Sequence, residues 1–313
     1  MTNMSLVTTF ILSGLPHPPE LDTFLFGIFL VIYVLTVVVN LLILPVIIVD
    51  PHLHTPMHYF LANLSFIDMW YSTVTVPKML MTLVSPEGSA IPFPSCVAQL
   101  YSSHFLGSTE CFLYTVMSYD RFLAISYPLR YASMMCGSER LTCALLATTM
   151  WLSGSVQSDV QITLMFHLPF CGPTRSNITS AMHHLSSNGL CRHLHCGVGD
   201  LCQHWGGGFR LLFPDSAVLH IRCPFHPEDP HLRGAMESLP DLCLPLHCGL
   251  CFFVPCDLIY LRPGSKEAMD RVVAVFYTVM TPLLSPVVYT LRNKKVKKAL
   301  LKFKDKVMYS QSK

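Results

Sequence analysis

Charged side chains are scarce in this chain of 313 residues, of which only 13% are Asp, Glu, Lys or Arg. Soluble globular proteins carry roughly 25% charged residues, so the composition excludes an ordinary cytosolic enzyme. Hydrophobic residues make up 51% of the sequence instead, which also excludes a disordered chain. Long uncharged runs of such residues are typical of proteins that cross a membrane several times. The predicted class is therefore an all-α, polytopic membrane helical bundle.

Basic residues are absent from the first 77 positions, and the first one is Lys78. A secretory signal peptide needs a basic start and a small-residue cleavage site, so the sequence does not favour a cleaved signal. The uncharged run Phe24–Val49 is 26 residues long. A membrane-spanning helix needs about 20 residues. We interpret this run as the first span and as a retained signal anchor.

Four further spans are predicted from the same criterion. They are Tyr59–Val76, with Asp68 inside it; Cys96–Tyr119, with His104 and Glu110; Leu141–Ser158, extending to about Phe166; and Val272–Leu291. Leu242–Cys256 is apolar but short, and it is a span only if the adjacent Asp257 faces protein or a cavity. Five spans are visible, and seven require one more between Arg175 and Asp241.

Basic residues cluster at the end of the chain, where nine of the 21 Lys and Arg lie within 292–313 beside one acid, Asp305. Arg121 and Arg140 lie between the third and fourth predicted spans. Cytoplasmic segments carry the excess of Lys and Arg, so both regions are predicted to face the cytosol and the N-terminus to face outward. Asn3 begins an Asn-Met-Ser sequon on that outer side and is the predicted glycosylation site.

Four motifs occur in a fixed order along the chain. Residues 117–131 read MSYDRFLAISYPLRY after the third span, 53–57 read LHTPM, 77–80 read PKML, and 282–293 read PLLSPVVYTLRN. Together they resemble the signature of vertebrate olfactory receptors, a branch of the rhodopsin-like G-protein-coupled receptors. The resemblance covers residues 1–173 and about 249–313, and it implies a fold of the seven-transmembrane receptor type.

The resemblance assigns a switch to the cytosolic ends of two spans. Asp120 and Arg121 are expected to form an ion pair, and release of the Arg opens the G-protein cleft. The alternative interpretation is that Arg121 only contributes to the excess of basic residues in cytoplasmic segments. That rule does not require an acidic neighbour such as Asp120. Pro286 predicts a bend in the last span, because proline removes an intrahelical hydrogen bond, and Tyr289 belongs to the same motif. The family usually has Asn in place of Ser285, a difference that weakens the expected polar link toward Asp68.

Asp68, Glu110 and Asn40 are predicted to form a polar core. Ionisable residues are costly in lipid, so they should face the interior of the bundle and have partners there. Related receptors hold the corresponding acids in a polar pocket to which a sodium ion is assigned, and carboxylate oxygens suit a hard cation. The alternative is a protonated, hydrogen-bonded pair with a structural role, and the sequence leaves both open.

The resemblance also implies a ligand cavity among the third, fifth and sixth spans. Five residues of the third span match it, and their spacing fits one helical face: Ser103, His104, Gly107, Ser108 and Cys111. Ordinary helix packing explains the same stripe, because membrane interfaces favour small residues. Cys256, Asp257 and Tyr260 are further candidates in the sixth span.

The implied function is an odorant receptor that binds a small volatile molecule within the bundle and activates a stimulatory, olfactory-type G protein. Its expected location is the plasma membrane, where lipid surrounds it, with the N-terminus extracellular and the C-terminus cytosolic. No catalytic constellation, cofactor or nucleic-acid partner is predicted. A membrane transporter is the alternative of another class, but transporters tend to contain internal repeats and the sequence has none.

The segment 174–248 departs from the family that surrounds it. Arg175–Asp241 contains 11 charged residues in 67, and nine of the 15 His lie between His183 and His247. The family has an outer loop with a cysteine, a fifth span, an inner loop and the start of a sixth span at this point. The fifth span and the start of the sixth are therefore predicted to be degraded.

A shifted reading frame explains the segment. Permitted codons, re-read from each third base, convert Asn177–His184 into YHFCDAP, the family's loop. Re-reading from each second base converts Leu201–Ile221 into VNIGVVASGCFFLIVLSYIS, a fifth span, and Cys243–Cys248 can yield ASHCIV, the start of the sixth. Degenerate codons make each test permissive, but three matches at the expected positions favour a frameshift. A pseudogene translation, an allele or a gene-model error would each produce it.

Several cysteine and histidine residues in this segment resemble the pattern of a metal-binding site. The run CRHLHC at 191–196 contains ligands that suit zinc, but its spacing matches no common zinc finger. No metal other than sodium is therefore predicted. The resemblance further implies a disulfide from Cys96 to a loop cysteine expected near Ala181. That position has none, and Cys171, Cys191 or Cys196 could substitute.

The chain is therefore predicted to have five parts. They are an extracellular N-terminus (1–23), four spans with loops (24–173), the aberrant segment (174–248), a sixth-span remnant with the last span (249–291), and a basic cytosolic tail (292–313). The alternative function is a non-signalling, pseudogene-derived product of an olfactory receptor gene. Loss of the disulfide would favour its retention in the endoplasmic reticulum.

Overall fold

The computed structural model describes residues 9–11, 18–85, 90–126, 131, 139–167, 275, 278–288 and 296–303. Four long helices form most of this part: α1 (Asp22–Val49), α2 (Pro56–Val84), α3 (Phe93–Ser126) and α4 (Glu139–His167). Two shorter helices follow, α5 (Thr278–Val288) in the predicted last span and α6 (296–303) in the basic tail. Single 3₁₀ turns lie at Pro19–Leu21 and Pro51–Leu53, before α1 and α2.

Each of the first four predicted spans lies inside one of the long helices, and each helix is longer than its prediction. An uncharged window stops at the first charge, whereas a helix can continue past it. In α2 the helix runs through Pro77 and Lys78 to Val84. The Lys78 ammonium leaves the helix surface and donates to the Ala90 carbonyl at 2.7 Å, so its charge does not end the helix.

Length and composition separate α1 from the other helices. Of the described helices, only α1 is long and apolar enough to span a membrane on those two criteria alone. α3 has 34 residues, which corresponds to about 51 Å and exceeds the ~30 Å hydrocarbon core. The ends of α3 therefore extend beyond the hydrocarbon, and its polar residues need not all lie within lipid.

The core lies between α2 and its neighbours. α2 packs against α1 and α3, and α3 packs against α4. The largest buried side chains of the core come from both α2 and α3: Phe60, Leu61, Leu64, Ile67, Leu113, Tyr114 and Met117. α6 adds Val296 and Ala299 to the same cluster. Large apolar side chains on the outer surface of α1, such as Phe24 and Ile48, are exposed. This arrangement suits a surface that faces lipid.

A short antiparallel ribbon adds a feature that an all-α prediction did not include. β1 (Thr9–Ile11) pairs with β2 (Ala90–Pro92), and Phe10 lies opposite Ile91. Ile91 is buried, and the Ala90 carbonyl receives the Lys78 ammonium. The ribbon therefore joins the N-terminal segment to the connection between α2 and α3.

Several predicted sites fall outside the described residues, and their assignments remain predictions. They are Asn3, the loop cysteines Cys171, Cys191 and Cys196, the sixth-span candidates Cys256, Asp257 and Tyr260, the switch residue Tyr289, and the whole segment 174–248. Cys96 lies near the start of α3 and is buried. Within the described part, it forms no disulfide with Cys111 or Cys143.

Gly154 allows α3 and α4 to approach each other closely. A Cβ atom on Gly154 would overlap Thr109 Oγ1, and it would lie 3.1 Å from the Thr109 backbone nitrogen and 3.2 Å from its Cα atom. The backbone atoms cannot move aside as a flexible side chain does. Small residues of this kind let membrane helices pack closely.

We expect Gly154→Ala to lower the free energy of unfolding by about 1–3 kcal/mol, the usual cost of overpacking a buried contact. The thermal melting temperature of the detergent-solubilised protein would measure it. Gly27→Ala is the matched control, because a Cβ at Gly27 meets nothing within 4 Å. Equal melting temperatures for the two variants would contradict the close packing of α3 on α4.

Candidate functional site

The C-terminal end of α3 carries a buried carboxylate with both oxygens engaged. Arg121 donates to Asp120 Oδ2 from Nη2 at 2.8 Å and from Nε at 3.1 Å. The Tyr131 hydroxyl donates to Asp120 Oδ1 at 2.8 Å. The Asp120 side chain is 1% exposed and the Arg121 side chain 21%. Charge-assisted hydrogen bonds from two donors therefore hold a carboxylate that is shielded from water, which makes this pair stronger than a surface ion pair.

Sequence reasoning identified Asp120 and Arg121 but missed Tyr131. The structure forms the predicted ion pair and adds the tyrosine as a second donor. Tyr131 is the last residue of the motif at 117–131, but a motif shows order along the chain and not hydrogen bonding. Tyr131 could have been identified from the requirement that a buried carboxylate has a hydrogen-bond donor at each of its two oxygens.

A polar cluster crosses the middle of the bundle. Asp68 and Glu110 are fully buried in the neighbouring helices α2 and α3. Both carboxylate oxygens of Asp68, Glu110 Oε2 and Asn40 Oδ1 have no hydrogen-bond partner in the described part. Buried oxygens of this kind need a proton or a cation to offset their desolvation.

A chain of hydroxyl groups connects this cluster to α5. The Tyr114 hydroxyl lies 2.9 Å from Glu110 Oε1 and 2.8 Å from Ser285 Oγ. Ser285 Oγ lies 3.1 Å from the Thr281 carbonyl one turn earlier in α5. The sequence suggested only that Ser285 weakens a polar link toward Asp68. In the structure Ser285 bonds to Tyr114 instead, and sequence reasoning did not single out Tyr114.

Asn40 compensates for the proline in α5. Pro286 has no N–H, so the carbonyl of Pro282, four residues earlier, loses its usual donor. Asn40 Nδ2 donates to that carbonyl at 3.4 Å and to the Thr36 carbonyl at 2.9 Å. The side chain of α1 thus replaces part of the hydrogen bonding that the proline removes, and it ties α1 to α5 at this point.

The residues predicted to line a ligand cavity share one accessible face of α3. Each of the five is partly accessible in the structure: Ser103, His104, Gly107, Ser108 and Cys111. The intervening Leu106, Thr109 and Glu110 are buried. Ser103 Oγ donates to the Gln99 carbonyl of its own helix at 2.8 Å. Cys111 is partly accessible but packs against the core cluster, so the more open part of the stripe consists of Ser103, His104, Gly107 and Ser108.

In the ranges that the structure describes, no group of three or more His, Cys, Asp or Glu side chains is arranged to hold a metal ion. Asp68, Glu110 and Asn40 instead offer oxygen atoms only, including three carboxylate oxygens without a hydrogen bond in that part. Such donors suit a hard cation such as sodium.

The helical bundle, its buried acids and the Asp-Arg pair define a membrane receptor, and the comparison with known families agrees. Residues 39–188 match the family described as 7 transmembrane receptor (rhodopsin family). The chain is 58% identical to human olfactory receptor 10G4, with 100% of both chains covered. It is 60% identical to human olfactory receptor 10G9 over 99% of both, and 39% identical to mouse olfactory receptor 10D1B over 96% of both.

The chain belongs to the olfactory receptors of the rhodopsin-like family. Its fold is the all-α seven-transmembrane receptor fold, and the protein is a receptor and not an enzyme. Membership confirms the resemblance seen in the four motifs. It also implies a multi-pass plasma-membrane protein whose partners are a small-molecule ligand and a G protein.

We expect Tyr131→Phe to raise ligand-independent G-protein activation, because Asp120 then holds Arg121 with one oxygen unsupported. Loss of a hydrogen bond to a charged group costs about 1.5–3 kcal/mol, which permits a change of about tenfold or more. Nucleotide exchange on a co-expressed G protein, divided by receptor surface density, measures it. Tyr119→Phe is the control, since the Tyr119 side chain is exposed. A Tyr131→Phe variant with wild-type basal exchange would show that the bond does not restrain Arg121.

Proposed function

We propose that the chain is an odorant receptor in which a small volatile molecule binds beside the accessible face of α3 and activates a stimulatory G protein. One observation carries this proposal: a single helix bears both the accessible stripe and the Asp120–Arg121 pair. Ser108 and Asp120 are 12 residues apart, which is about 18 Å along a helix. A displacement of α3 at the stripe would therefore reach the cytosolic end directly.

The chemistry of the stripe indicates a mostly apolar ligand with at least one polar group. Gly107 has no side chain and leaves space for a ligand. Ser108 offers a hydroxyl group that forms ordinary hydrogen bonds, and Cys111 offers a thiol that forms weak ones. His104 adds an imidazole that is partly accessible. A volatile molecule with one hydrogen-bonding group would use one of these side chains for orientation and apolar contact for most of its affinity.

Activation would follow from a shift between two conformations of the bundle. A ligand can shift this equilibrium only by its difference in affinity for the two states. The resting state has Arg121 held by Asp120, and Asp120 held in turn by Tyr131. Binding favours the state in which α3 moves, this carboxylate loses its donors, and Arg121 becomes available to the G protein.

The polar cluster fits a sodium ion held by Asp68, Glu110 and Asn40. The ion would supply positive charge between two carboxylates that otherwise repel each other. A protonated pair remains the competing arrangement. In either case these buried side chains come from three different helices, α1, α2 and α3.

The proposed orientation places the N-terminus outside and the C-terminus in the cytosol. α6 packs Val296 and Ala299 into the core, and its lysines Lys297, Lys298 and Lys302 are exposed. Met117, which is one turn before Arg121, belongs to the same core cluster as α6. Exposed basic residues thus gather at one end of the bundle, as the positive-inside rule requires of the cytosolic end.

We expect Ser108→Val to change the ligand preference. The bulkier, apolar side chain fills the stripe and removes a hydrogen-bonding group, so the half-maximal concentration for a polar odorant should rise about tenfold or more. Cyclic AMP in cells exposed to an odorant panel measures the response. Thr148→Val is the control, because Thr148 is exposed on α4 and bonds only to the Ala144 carbonyl of its own helix. An unchanged ranking of odorants in Ser108→Val would count against the stripe as a ligand site.

A second candidate function is a product of the same family that does not signal. The composition of 174–248 supports it, since a frameshift there would remove the fifth span and the loop cysteine. The family match ends at residue 188, inside this segment. Such a protein would be retained in the endoplasmic reticulum and would respond to no odorant.

Sequencing the genomic locus and the transcript tests the second candidate. If the frameshifts are real, both sequences should encode 174–248 as printed, and surface staining of the full chain should be near background. If an unbroken family-like frame appears instead, the segment is a gene-model error and the receptor proposal applies to the corrected chain. Strong surface staining of the chain as printed would contradict the non-signalling alternative.

A further inference from the structure

Tyr114 and Ser285 form a buried contact between α3 and α5 that neither the Asp120–Arg121 pair nor the ligand stripe uses. Their hydroxyl oxygens are 2.8 Å apart, and both side chains are almost completely buried. The Tyr114 hydroxyl also bonds to Glu110, and Ser285 Oγ also bonds to the Thr281 carbonyl. Three short contacts therefore join the two hydroxyl groups, the Glu110 carboxyl group and the Thr281 carbonyl.

Proton counting shows that these contacts compete. Each hydroxyl has one proton to donate, and an ionised carboxylate and a carbonyl have none. Three contacts need three protons, but Tyr114 and Ser285 supply two when Glu110 is ionised. Tyr114 then donates to Glu110, because a charged acceptor makes the stronger bond. Ser285 must choose between the Tyr114 oxygen on α3 and the Thr281 carbonyl within α5.

This choice lies at the weakest point of α5. Pro286 follows Ser285 directly and removes the bond to the Pro282 carbonyl, which Asn40 replaces only at 3.4 Å. Helices bend most easily where a proline interrupts the hydrogen bonding. The Ser285 hydroxyl therefore either ties the proline-containing turn of α5 to α3 or closes a bond within α5, and neither choice leaves its proton without an acceptor.

We propose that the Tyr114–Ser285 hydrogen bond is a latch that holds the proline-containing turn of α5 against α3 in the resting receptor. Tyr114 is the positioning residue, since its hydroxyl is fixed by Glu110 and presents its oxygen to Ser285. When the latch opens, Ser285 bonds to Thr281 and α5 is free to move relative to α3. The effect of the latch on signalling rests on the proposed receptor function, whereas the latch itself does not.

A double-mutant cycle tests the latch. Tyr114→Phe and Ser285→Ala each remove one hydroxyl, and the double variant removes both. We expect each single variant to raise basal cyclic AMP per surface receptor about two- to tenfold, the range expected for a hydrogen bond of ordinary strength. The double variant should equal Tyr114→Phe, because once the Tyr114 hydroxyl is gone the loss of the Ser285 hydroxyl removes only its bond to the Thr281 carbonyl, which does not join α5 to α3. Two outcomes would overturn the latch. One is that the effects of the two substitutions add in the double variant. The other is that the wild type responds to odorants but the single variants keep its basal cyclic AMP.

Thr115→Val is the control for losing a hydroxyl, since Thr115 bonds only to the Cys111 carbonyl of its own helix among the contacts described. It should keep wild-type basal cyclic AMP. A second measurement does not depend on signalling: hydrogen–deuterium exchange of the peptide that contains 278–288 in purified, detergent-solubilised protein. Faster exchange of this peptide in Tyr114→Phe and Ser285→Ala, but not in Thr115→Val, supports the latch.

The two readouts separate failure of the latch from failure of the proposed function. In one outcome the wild type gives no odorant response, but hydrogen–deuterium exchange of the 278–288 peptide is faster in Tyr114→Phe and in Ser285→Ala, and the two increases do not add in the double variant. The latch is then supported and the receptor proposal fails. If wild type responds and exchange is the same in every variant, the latch is wrong and the receptor proposal stands.

Discussion

The structure depends on one constraint: a polar group inside a bundle that faces lipid must find its partner within the protein. Water satisfies such groups at the surface of a soluble protein, but the hydrocarbon core offers none. Short polar side chains meet this constraint locally. The hydroxyls of Thr36, Thr73 and Thr148 each donate to a carbonyl four residues earlier in their own helix. Asp120 and Tyr114 each make a local bond and also a second contact outside their own helix, with Tyr131 and Ser285 respectively. The contact of Tyr114 with Ser285 joins two helices.

Local physics made the helices predictable. The uncharged run in α1 gave nearly the observed helix, because length and hydrophobicity alone define a membrane span. The ends of α2 and α3 were less predictable. The hydrogen bonds of Lys78 and Asp120 offset the free-energy cost of placing a charge in the helix, and hydropathy averaged along the sequence contains no information on such contacts. The β ribbon pairs residues about 80 positions apart, and three residues are too few for a recognisable strand pattern.

The site was only partly predictable for the same reason. Asp120 and Arg121 are neighbours in the sequence, so their pairing could be inferred from the motif. Tyr114 and Ser285 are 171 positions apart, and neither looks unusual alone. Their contact depends on how α5 packs against α3, which no residue pattern along one helix specifies. Gly154 is similar, because its importance comes from the Thr109 backbone across the interface.

The ribbon between β1 and β2 has a consequence for how the chain enters the membrane. Residues 9–11 can pair with 90–92 only if α1 and α2 have crossed in opposite directions, so that both strands lie on the same side. β1 must therefore wait unpaired with β2 while roughly 80 further residues are synthesised and two helices are inserted. A chain inserted with either helix the wrong way round cannot close the ribbon. The pairing thus forms late, and it forms only in chains whose first hairpin has the correct topology.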